Sequence, residues 1–318
     1  MAGDLFDATS MQSVQGTDGR RKARQGPFLD VRQLDLFTAF VGDVPLRDDR
    51  EAMSLPLCSL SKKKRITPIE WSNSEGTRWV KVIPTPEWGM ATIWDLDVIL
   101  WALSQLNEAL ERGMRIAPII KFHPHDMLRS IGRSSGGTDY GRLRAALDRL
   151  EGTHIRTNVR SEDKRRTVAF GWLEGWAEDI DERTNTCSAM SIVLPHWLFR
   201  AVESREVLAV SPAYFRITGG IERWLYRLAR RHAGRQDGGW CFTCRQVWER
   251  SGSTRSLKQF AHDLRRIVEE NRLPEYRLQM LVNHKGEPSI MMNRDPARLV
   301  PTARQALEVD LVTEAGER

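Results

Sequence analysis

The chain has 318 residues, of which 41% are hydrophobic and 28% are charged, and its 48 lysines and arginines exceed its 42 acidic residues to give a formal net charge of +6. This composition is ordinary for a soluble protein, and the length allows two or three domains that each bury a core. No apolar run approaches the roughly 20 residues of a membrane helix, and the basic excess favours a polyanionic partner.

The N-terminal part of the chain contains a polar segment, a basic run and a hairpin. The polar segment covers residues 1–50; its first thirty or so residues are rich in Gly, Gln and Arg and lack an apolar stretch of the signal-peptide type. We therefore expect a partly disordered segment and a cytoplasmic protein. The run Lys62-Lys63-Lys64-Arg65 is either a solvated loop or an anchor for phosphate groups. Alternation at 67–71 and 78–82 predicts the hairpin.

Residues 93 to 172 have the order of a winged helix-turn-helix. Three segments have apolar residues at the three-and-four spacing of a helix: 93–112, 124–131 and 139–150. A Gly- and Ser-rich turn separates the last two, and Pro124 is well tolerated at the start of a helix. Two alternating stretches, 155–159 and 168–172, bracket a charged tip at 161–166 and predict a wing.

The third of these helices should present small residues at the centre of its exposed face and arginines at the flanks. The small residues are Thr138, Gly141 and Ala145, and the arginines are Arg142, Arg144 and Arg149. Small residues allow close approach to a surface, and flanking arginines suit phosphate contact better than base reading. The expected DNA contacts of this unit are Thr138, Arg142, Arg144 and, in the wing tip, Lys164, Arg165 and Arg166.

Residues 218 to 292 repeat the same order without close sequence identity. A basic helix is followed by a Gly-rich break, a short helix, the turn Ser251-Gly252-Ser253 and a long helix whose N-terminus Ser253 or Thr254 can cap. The stretches 276–282 and 289–292, joined by a tight polar turn that contains Lys285, predict a second wing.

The long helix has one apolar stripe and one polar row. The stripe consists of Leu257, Phe260, Ala261, Leu264, Ile267 and Val268. The opposite row consists of Arg255, Gln259, His262 and Arg266, side chains that suit base edges, since Arg reads guanine and Gln reads adenine. Such rows are also common on solvated helix faces, but the flanking elements favour DNA. The expected contacts are Arg255, Lys258, Gln259, His262, Arg266 and Lys285.

Cys241 and Cys244 have the spacing of half a zinc site or of a redox pair. The other cysteines, Cys58 and Cys187, are isolated, and His232 adds at most one ligand. Structural zinc takes four ligands. We therefore expect reduced thiols and no bound metal.

The sequence His123-Pro124-His125-Asp126, followed by Tyr140, is similar to the metal-binding His pair and the nucleophilic Tyr of rolling-circle replication endonucleases. In those enzymes the His pair lies in a strand, so that both rings point to one face. Pro124 instead interrupts a strand and starts a helix, and Tyr140 falls on the buried side of its own helix. We expect a helix N-cap region with Asp126 near the positive end of the helix dipole.

The segment 132–138 loosely resembles a phosphate-binding loop. It lacks the Lys of that motif and follows a helix instead of a strand, so a turn before a recognition helix explains it better. Backbone N–H groups at the start of that helix could still hold a DNA phosphate. We expect neither nucleotide hydrolysis nor a cofactor.

Several specific sequence blocks lie between Gln33 and Val268, and the resemblance that they carry covers roughly Gln33 to Met292. They are QLDLF (33–37), GDVPLRD (42–48), KRITPIEW (64–71), GMATIWDLDVILWALSQ (89–105), RSIGRSSGGTDYGRLRAALDRL (129–150), LPHW (194–197), PAYFRITGGIERWLYRLARRHAGRQ (212–236), and SGS with FAHDLRRIV (251–268). On these blocks the chain resembles the replication initiator protein A family of plasmids and integrating elements in Gram-negative bacteria. The resemblance implies sequence-specific binding to repeated DNA at an origin, recruitment of host replication proteins, and different parts for dimers and monomers.

We predict an α+β protein with two tandem winged helix-turn-helix domains, 51–186 and 187–296, between the N-terminal segment 1–50 and a C-terminal tail, 297–318. We expect a non-enzymatic replication initiator that binds repeated double-stranded sites at a plasmid-type origin. It should form a homodimer and recruit the host replication initiator and helicase machinery. Two alternatives stay open: a winged-helix transcriptional regulator and a metal-dependent origin nickase.

Overall fold

The structure is a computed structural model that describes residues 36–159, 166–234, 236 and 238–298. Within these residues the fold is mixed α+β, as predicted. The strands are β1 (Leu36–Thr38), β2 (Arg47–Asp49), β3 (Ile69–Ser72), β4 (Trp79–Ile83), β5 (Ile119–Phe122), β6 (His154–Thr157), β7 (Val168–Phe170), β8 (Gly175–Asp181), β9 (Thr186–Val193), β10 (Val207–Ala209), β11 (Trp240–Thr243), β12 (Tyr276–Val282) and β13 (Pro288–Arg294). The α-helices are α1 (Leu96–Glu111), α2 (Pro124–Ser130), α3 (Gly137–Glu151), α4 (His196–Glu203), α5 (Gly220–Ala233), α6 (Cys244–Ser251) and α7 (Leu257–Glu270).

Two of the sequence predictions concern residues at the ends of the chain. Most of the segment expected to be partly disordered, and most of the tail 297–318, lie outside the described residues. None of the helices in the described part of the chain combines the length and the apolarity that crossing a bilayer takes.

Helix α1 forms the centre of the hydrophobic core. Every residue from Leu96 to Ala109 is buried, because a helix that is apolar on most of its faces has to be covered on all sides. The helix begins later than its apolar pattern at Ile93. The carboxylate of Asp95 accepts hydrogen bonds from the backbone N–H and the hydroxyl of Thr92 at 2.7 and 2.9 Å, which closes a turn in front of the helix.

The predicted hairpin and the predicted first wing lie in one antiparallel sheet of order β3-β4-β6-β7. The hairpin is β3–β4 and the wing is β6–β7, which confirms both pairs of strands. The two hairpins are joined by β4 and β6, where Val82 lies opposite Ile155. Both of these side chains are buried, so the sheet covers one side of the core.

A second sheet, of order β1-β5-β9-β8, was not predicted from the sequence. Strand β9 pairs antiparallel with β5 and with β8, whereas β1 pairs with β5 in parallel. The predicted domain boundary between residues 186 and 187 falls at the first residues of β9, and that boundary stays a prediction.

The last part of the described chain contains a three-stranded sheet of order β11-β13-β12 with α5, α6 and α7. A capping box starts α6: the hydroxyl of Thr243 accepts from the N–H of Gln246 at 3.1 Å, and the Gln246 amide oxygen accepts from the N–H of Thr243 at 2.9 Å. The helix ends at Gly252, whose φ of +61° is left-handed, as many helix ends require. The chain then turns into α7.

Buried arginines of α5 join this last part to the first. Arg227 donates to both carboxylate oxygens of Asp48 on β2, and both side chains are 2% exposed. Arg223 donates to Asp97 at 2.6 Å near the start of α1, and Arg133 donates to the other oxygen of Asp97 at 2.8 Å. Because each carboxylate is met by a guanidinium, these charges are tolerated inside the core.

Candidate nucleic-acid interface

Helix α7 has the two faces that the sequence predicts. Its buried residues are Phe260, Leu264 and Ile267, and the other apolar positions of the predicted stripe are half-buried. The outward face carries a set of exposed polar side chains, which are Lys258, Gln259, His262, Arg265, Arg266, Glu269 and Glu270. Its basic residues extend from Lys258 to Arg266, and its glutamates follow in the last turn. The stretch from Lys258 to Arg266 is therefore the part suited to a polyanion.

The cap of α7 differs from the prediction. Ser256 is the N-cap: its hydroxyl accepts from the N–H of Gln259 at 3.3 Å, and the Gln259 amide oxygen accepts from the N–H of Ser256 at 3.2 Å. Ser253, predicted as a cap, instead accepts from the N–H of Arg255 inside the turn. Thr254 is wrong as a cap for the same reason, since both residues precede the N-cap.

This cap alters what two of the predicted base-reading residues can do. Arg255 lies in the turn and not on the helix, and its Nε is 3.2 Å from a carboxylate oxygen of Asp263. It remains exposed. Gln259 uses its amide oxygen in the capping box, and a bidentate contact to adenine needs that same oxygen. His262 and Arg266 stay fully on the outward face, and Arg265 joins them.

Arg265 was missed by the sequence analysis although a signal for it exists. At ~100° per residue it lies beside Lys258 at the edge of the predicted row. A polar row that was one position wider on the side of Lys258 would have included Arg265.

The two strands predicted as the second wing are β12 and β13, which pair antiparallel. The side-chain oxygen of Asn283 accepts from the N–H groups of Lys285 and Glu287, each at 2.9 Å, and Gly286 has a φ of +76°. These contacts close the tip and leave Lys285 exposed. The end of β12 also exposes Val282, 71% of which is accessible. The wing tip thus presents one cation beside an apolar side chain.

The first candidate recognition helix is α3. Thr138 and Gly141 are exposed as predicted, and Ala145 is half-buried. The side chain of Arg142 is 71% exposed and makes an ion pair with Asp139 at 3.0 Å. Thr138 and Arg142 are therefore accessible to a ligand.

Arg144 and Arg149 are held by carboxylates. Arg144 donates from Nε to Glu178 on β8 at 2.8 Å and also pairs with its second oxygen. Hydrogen bonding to Glu178 raises the pKa of Arg144. Arg149 donates to both oxygens of buried Asp95, at 2.8 and 2.7 Å. Arg144 thus fastens α3 to a strand, and contact with a phosphate would require that ion pair to open.

The tip of the first wing is described in part. Arg166 is exposed and lies two residues before β7. The other two predicted contacts, Lys164 and Arg165, lie outside the described residues.

Among the described residues, one group of three metal-ligating side chains has its ligand atoms within 4.8 Å of one another: His123, His125 and Asp126. His123 is the N-cap of α2, as expected, and its Nδ1 accepts from the N–H of His125 at 3.3 Å. Burial raises the pKa of Tyr140, and the charges of Cys187 and Asp126 raise it further. A raised pKa is the opposite of what activates a Tyr nucleophile.

The glycine-rich segment before α3 is a turn, as expected. Its Ser134 hydroxyl donates to the carboxylate of Asp139, while Arg133 donates to the backbone oxygen of Trp94 at 2.7 Å. Asp139 lies in the first turn of α3, where a carboxylate interacts favourably with the helix dipole. An anion at this helix start would have to compete with that carboxylate.

Comparison with known proteins gives related sequences and folds. The family described as "Replication initiator protein A" matches residues 47–278. A protein of Wigglesworthia glossinidia brevipalpis, described as a putative replication protein, is 33% identical over 238 residues, which are 73% of this chain and 84% of that protein.

Two solved structures of domains 2 and 3 of RctB have a similar fold. One has a TM-score of 0.56 at 14% sequence identity and covers 75% of this chain and 95% of that chain. The other has a TM-score of 0.51 at 13% identity and covers 76% and 95%. At such identities the similarity is one of fold.

Proposed function

Because the chain belongs to the replication initiator protein A family, we propose that it initiates replication by binding repeated sites in double-stranded DNA at a plasmid-type origin. The observation that carries this proposal is the outward face of α7. His262, Arg265 and Arg266 are exposed there, on a helix that follows a tight turn and precedes a two-stranded wing. This order of elements is that of a winged helix-turn-helix, whose second helix enters the major groove.

We infer that the chain contains two such units. In the second, His262 and Arg266 read base edges from α7, while Lys258 and Lys285 contact phosphates. In the first, Thr138 allows close approach of α3, and Arg142 and the wing residue Arg166 contact the backbone. Two units on one duplex lengthen the recognised site and raise its specificity.

A footprint on the DNA that flanks the chain's own coding region tests the proposal. We expect protection of directly repeated sites. A variant with Arg142→Ala should bind all duplexes more weakly and flatten the dependence of affinity on salt by about one phosphate contact. A single protected palindrome at a promoter would instead support a transcriptional regulator, and the absence of any preferred site would contradict sequence-specific binding.

We further propose that the protein forms a homodimer and recruits the host replication initiator and helicase machinery, in line with its family. Sedimentation of the protein alone and with an origin duplex measures whether a dimer forms and whether DNA changes it. A helicase-loading assay with purified host proteins tests recruitment. A protein that binds its repeats yet leaves the helicase unloaded would remove this part of the proposal.

The cluster of His123, His125 and Asp126 favours one second candidate, a metal-dependent origin nickase. Incubation with supercoiled origin plasmid and Mn²⁺ separates the two functions. We expect the plasmid to stay supercoiled. A relaxed product with covalently attached protein, lost on Tyr140→Phe, would identify a nickase.

A further inference from the structure

A basic loop, Ser61–Arg65, lies between the two candidate recognition helices. One cavity of 470 Å³ runs from this loop to the turn in front of α7, where Gly252, Ser253, Thr254 and Arg255 line it. A second cavity, of 770 Å³, runs from the same loop to the start of α3, where Ser134, Asp139 and Arg142 line it. Lys63 and Lys64 line both cavities. The loop therefore separates two concave surfaces, each of which leads to a recognition helix.

The backbone of this loop is fixed from both sides. The hydroxyl of Ser59 accepts from the N–H of Ser61 at 3.2 Å, and the hydroxyl of Ser61 accepts from the N–H of Lys63 at 3.1 Å. Arg65 donates from Nη1 to the carbonyl of Gly252, at 2.6 Å, and from Nε to the carbonyl of Thr67. The loop is thus tied to the turn that sets the start of α7.

Helix α5 also packs against the start of the loop. A Cβ added at Gly220, the first residue of α5, would lie 2.1 Å from the carbonyl oxygen of Leu60. Because only a glycine allows this approach, α5 is in close contact with Leu60, the residue directly before the loop. The positions of the lysine backbones are therefore set before any ligand arrives.

The ammonium groups of the three lysines in the loop differ in their contacts. That of Lys62 lies 5.0 Å from the centre of the Trp94 ring, and that of Lys64 donates to the carbonyl of Glu87 at 2.7 Å. For Lys63, the structure shows no side-chain partner among the described residues, and all three lysines are exposed. The loop therefore offers fixed positive charge that no carboxylate neutralises in the described part of the chain.

The larger cavity as a whole is basic. The cations that line it are Lys62, Lys63, Lys64, Arg133, Arg142, Arg149 and Arg223, and the carboxylates are Asp95 and Asp139. Asp95 and Asp139 are already paired with arginines of α3, and Arg133 and Arg223 share Asp97. The three lysines are therefore the cavity's cations that have no carboxylate partner among the described residues. A concave surface with a net positive charge attracts a polyanion, because its shape concentrates the electric field of the cations.

We propose that the basic loop is a third DNA contact, and that it holds the phosphate backbone of the duplex between the segments read by α3 and α7. This inference rests on the proposed function, since it takes both helices to bind one duplex. A duplex that reaches both helices passes the loop, where Lys62 and Lys63 meet phosphates as compact point charges. The contact carries no base preference and sets the register of the duplex on the protein.

The test uses the full chain with Lys62→Gln and Lys63→Gln together. Lys64 is kept because its ammonium group supports the backbone of the loop. The matched control is Arg183→Gln with Arg205→Gln, which removes the same charge at two exposed positions, one in the turn between β8 and β9 and one after α4. Binding to a footprinted origin duplex and to a random duplex of equal length is measured by fluorescence anisotropy between 50 and 200 mM salt, a range over which phosphate contacts dominate.

We expect the lysine variant to lose about 1.8 from the slope of log affinity against log salt, at about 0.9 for each phosphate contact. Affinity should fall by the same factor on both duplexes, so that their ratio is unchanged. Ethylation interference should show loss of contacts at the central phosphates and retention of those on either side. The control variant should keep the wild-type slope and interference pattern.

A lysine variant whose slope and interference pattern match the control would overturn the loop contact. The variant Arg266→Ala distinguishes a failure of the loop contact from a failure of the proposed function. If Arg266→Ala lowers the ratio of specific to random affinity while the lysine variant behaves as the control, the loop proposal alone fails. If wild-type protein shows no preference between the two duplexes, the proposed function fails with it.

Discussion

The buried pair between Arg227 and Asp48 gives a sharp test of what holds the two parts of the chain together. Replacing Asp48 by Ala removes two hydrogen bonds, at 2.6 and 3.1 Å, and leaves a guanidinium that is 2% exposed without its carboxylate. Breaking one side of such a buried pair costs about 3–5 kcal/mol. We expect this loss in the free energy of unfolding, measured by urea titration with two spectroscopic probes.

Two comparisons separate the buried charge from other effects of the substitution. Glu70→Ala removes an exposed partner, since Lys81 and Glu70 are 43% and 68% exposed, and should cost at most about 1 kcal/mol. The double variant Asp48→Leu with Arg227→Met removes both charges and should recover most of the loss, even where Asp48→Ala alone does not fold. A cost for Asp48→Ala equal to that of Glu70→Ala, or a double variant as unstable as the single one, would refute the reasoning.

Three other substitutions test separate features. Ser256→Ala should lower the unfolding free energy by about 1 kcal/mol, because α7 loses its capping box. The control is Thr254→Ala, in the turn outside the cap. Equal losses in the two variants would contradict the assignment of Ser256 as the N-cap. Arg266→Ala should weaken binding to the preferred duplex by roughly 1–3 kcal/mol and relax specificity at one base; competition binding measures this, and equal losses on random DNA would indicate a phosphate contact. Burial lowers the pKa of His232 from 6.5 to about 4, so its neutral form is favoured in the folded state. The stability associated with the neutral imidazole is complete above pH 6.5 and is lost as the pH falls toward 4, because the unfolded chain takes up the proton first. His232→Phe should reduce the loss of stability over that range, and an unchanged pH profile would argue against a buried neutral imidazole.

The elements nearest to the candidate site could be predicted because their signals are local. The apolar stripe of α7 needs fourteen consecutive residues, and the two wings need two strands and one turn each. The position of the cap was missed because Ser253, Thr254 and Ser256 can all accept a backbone hydrogen bond. Which one caps α7 depends on where the turn ends, and the structure places that end at Ser256.

The remaining features depend on residues that are far apart in the chain. Nothing near Arg144 shows that Glu178 will pair with it, so a residue predicted to contact phosphate was found holding α3 to β8. The pairing of β4 with β6 joins strands whose patterns say only that each is a strand, and β5 and β9, which pair with each other, were not predicted. For the same reason, the sequence left open whether the basic run at Lys62 is a solvated loop or a phosphate anchor. The turn that lies beside it comes from a distant part of the chain.

The arginines of α5 that end on β2 and α1 have a consequence for the length of any target. Under the proposed function, the two DNA-reading helices pack on one hydrophobic core, so the fold and not a linker sets the distance between them. Five or so extra base pairs between the two read segments would rotate one of them to the far side of the double helix, at about 10 base pairs per turn. A variant that accepts a different spacing between the two sites would then need a different packing of α5 against β2 and α1, where Asp48 and Asp97 pair with arginines.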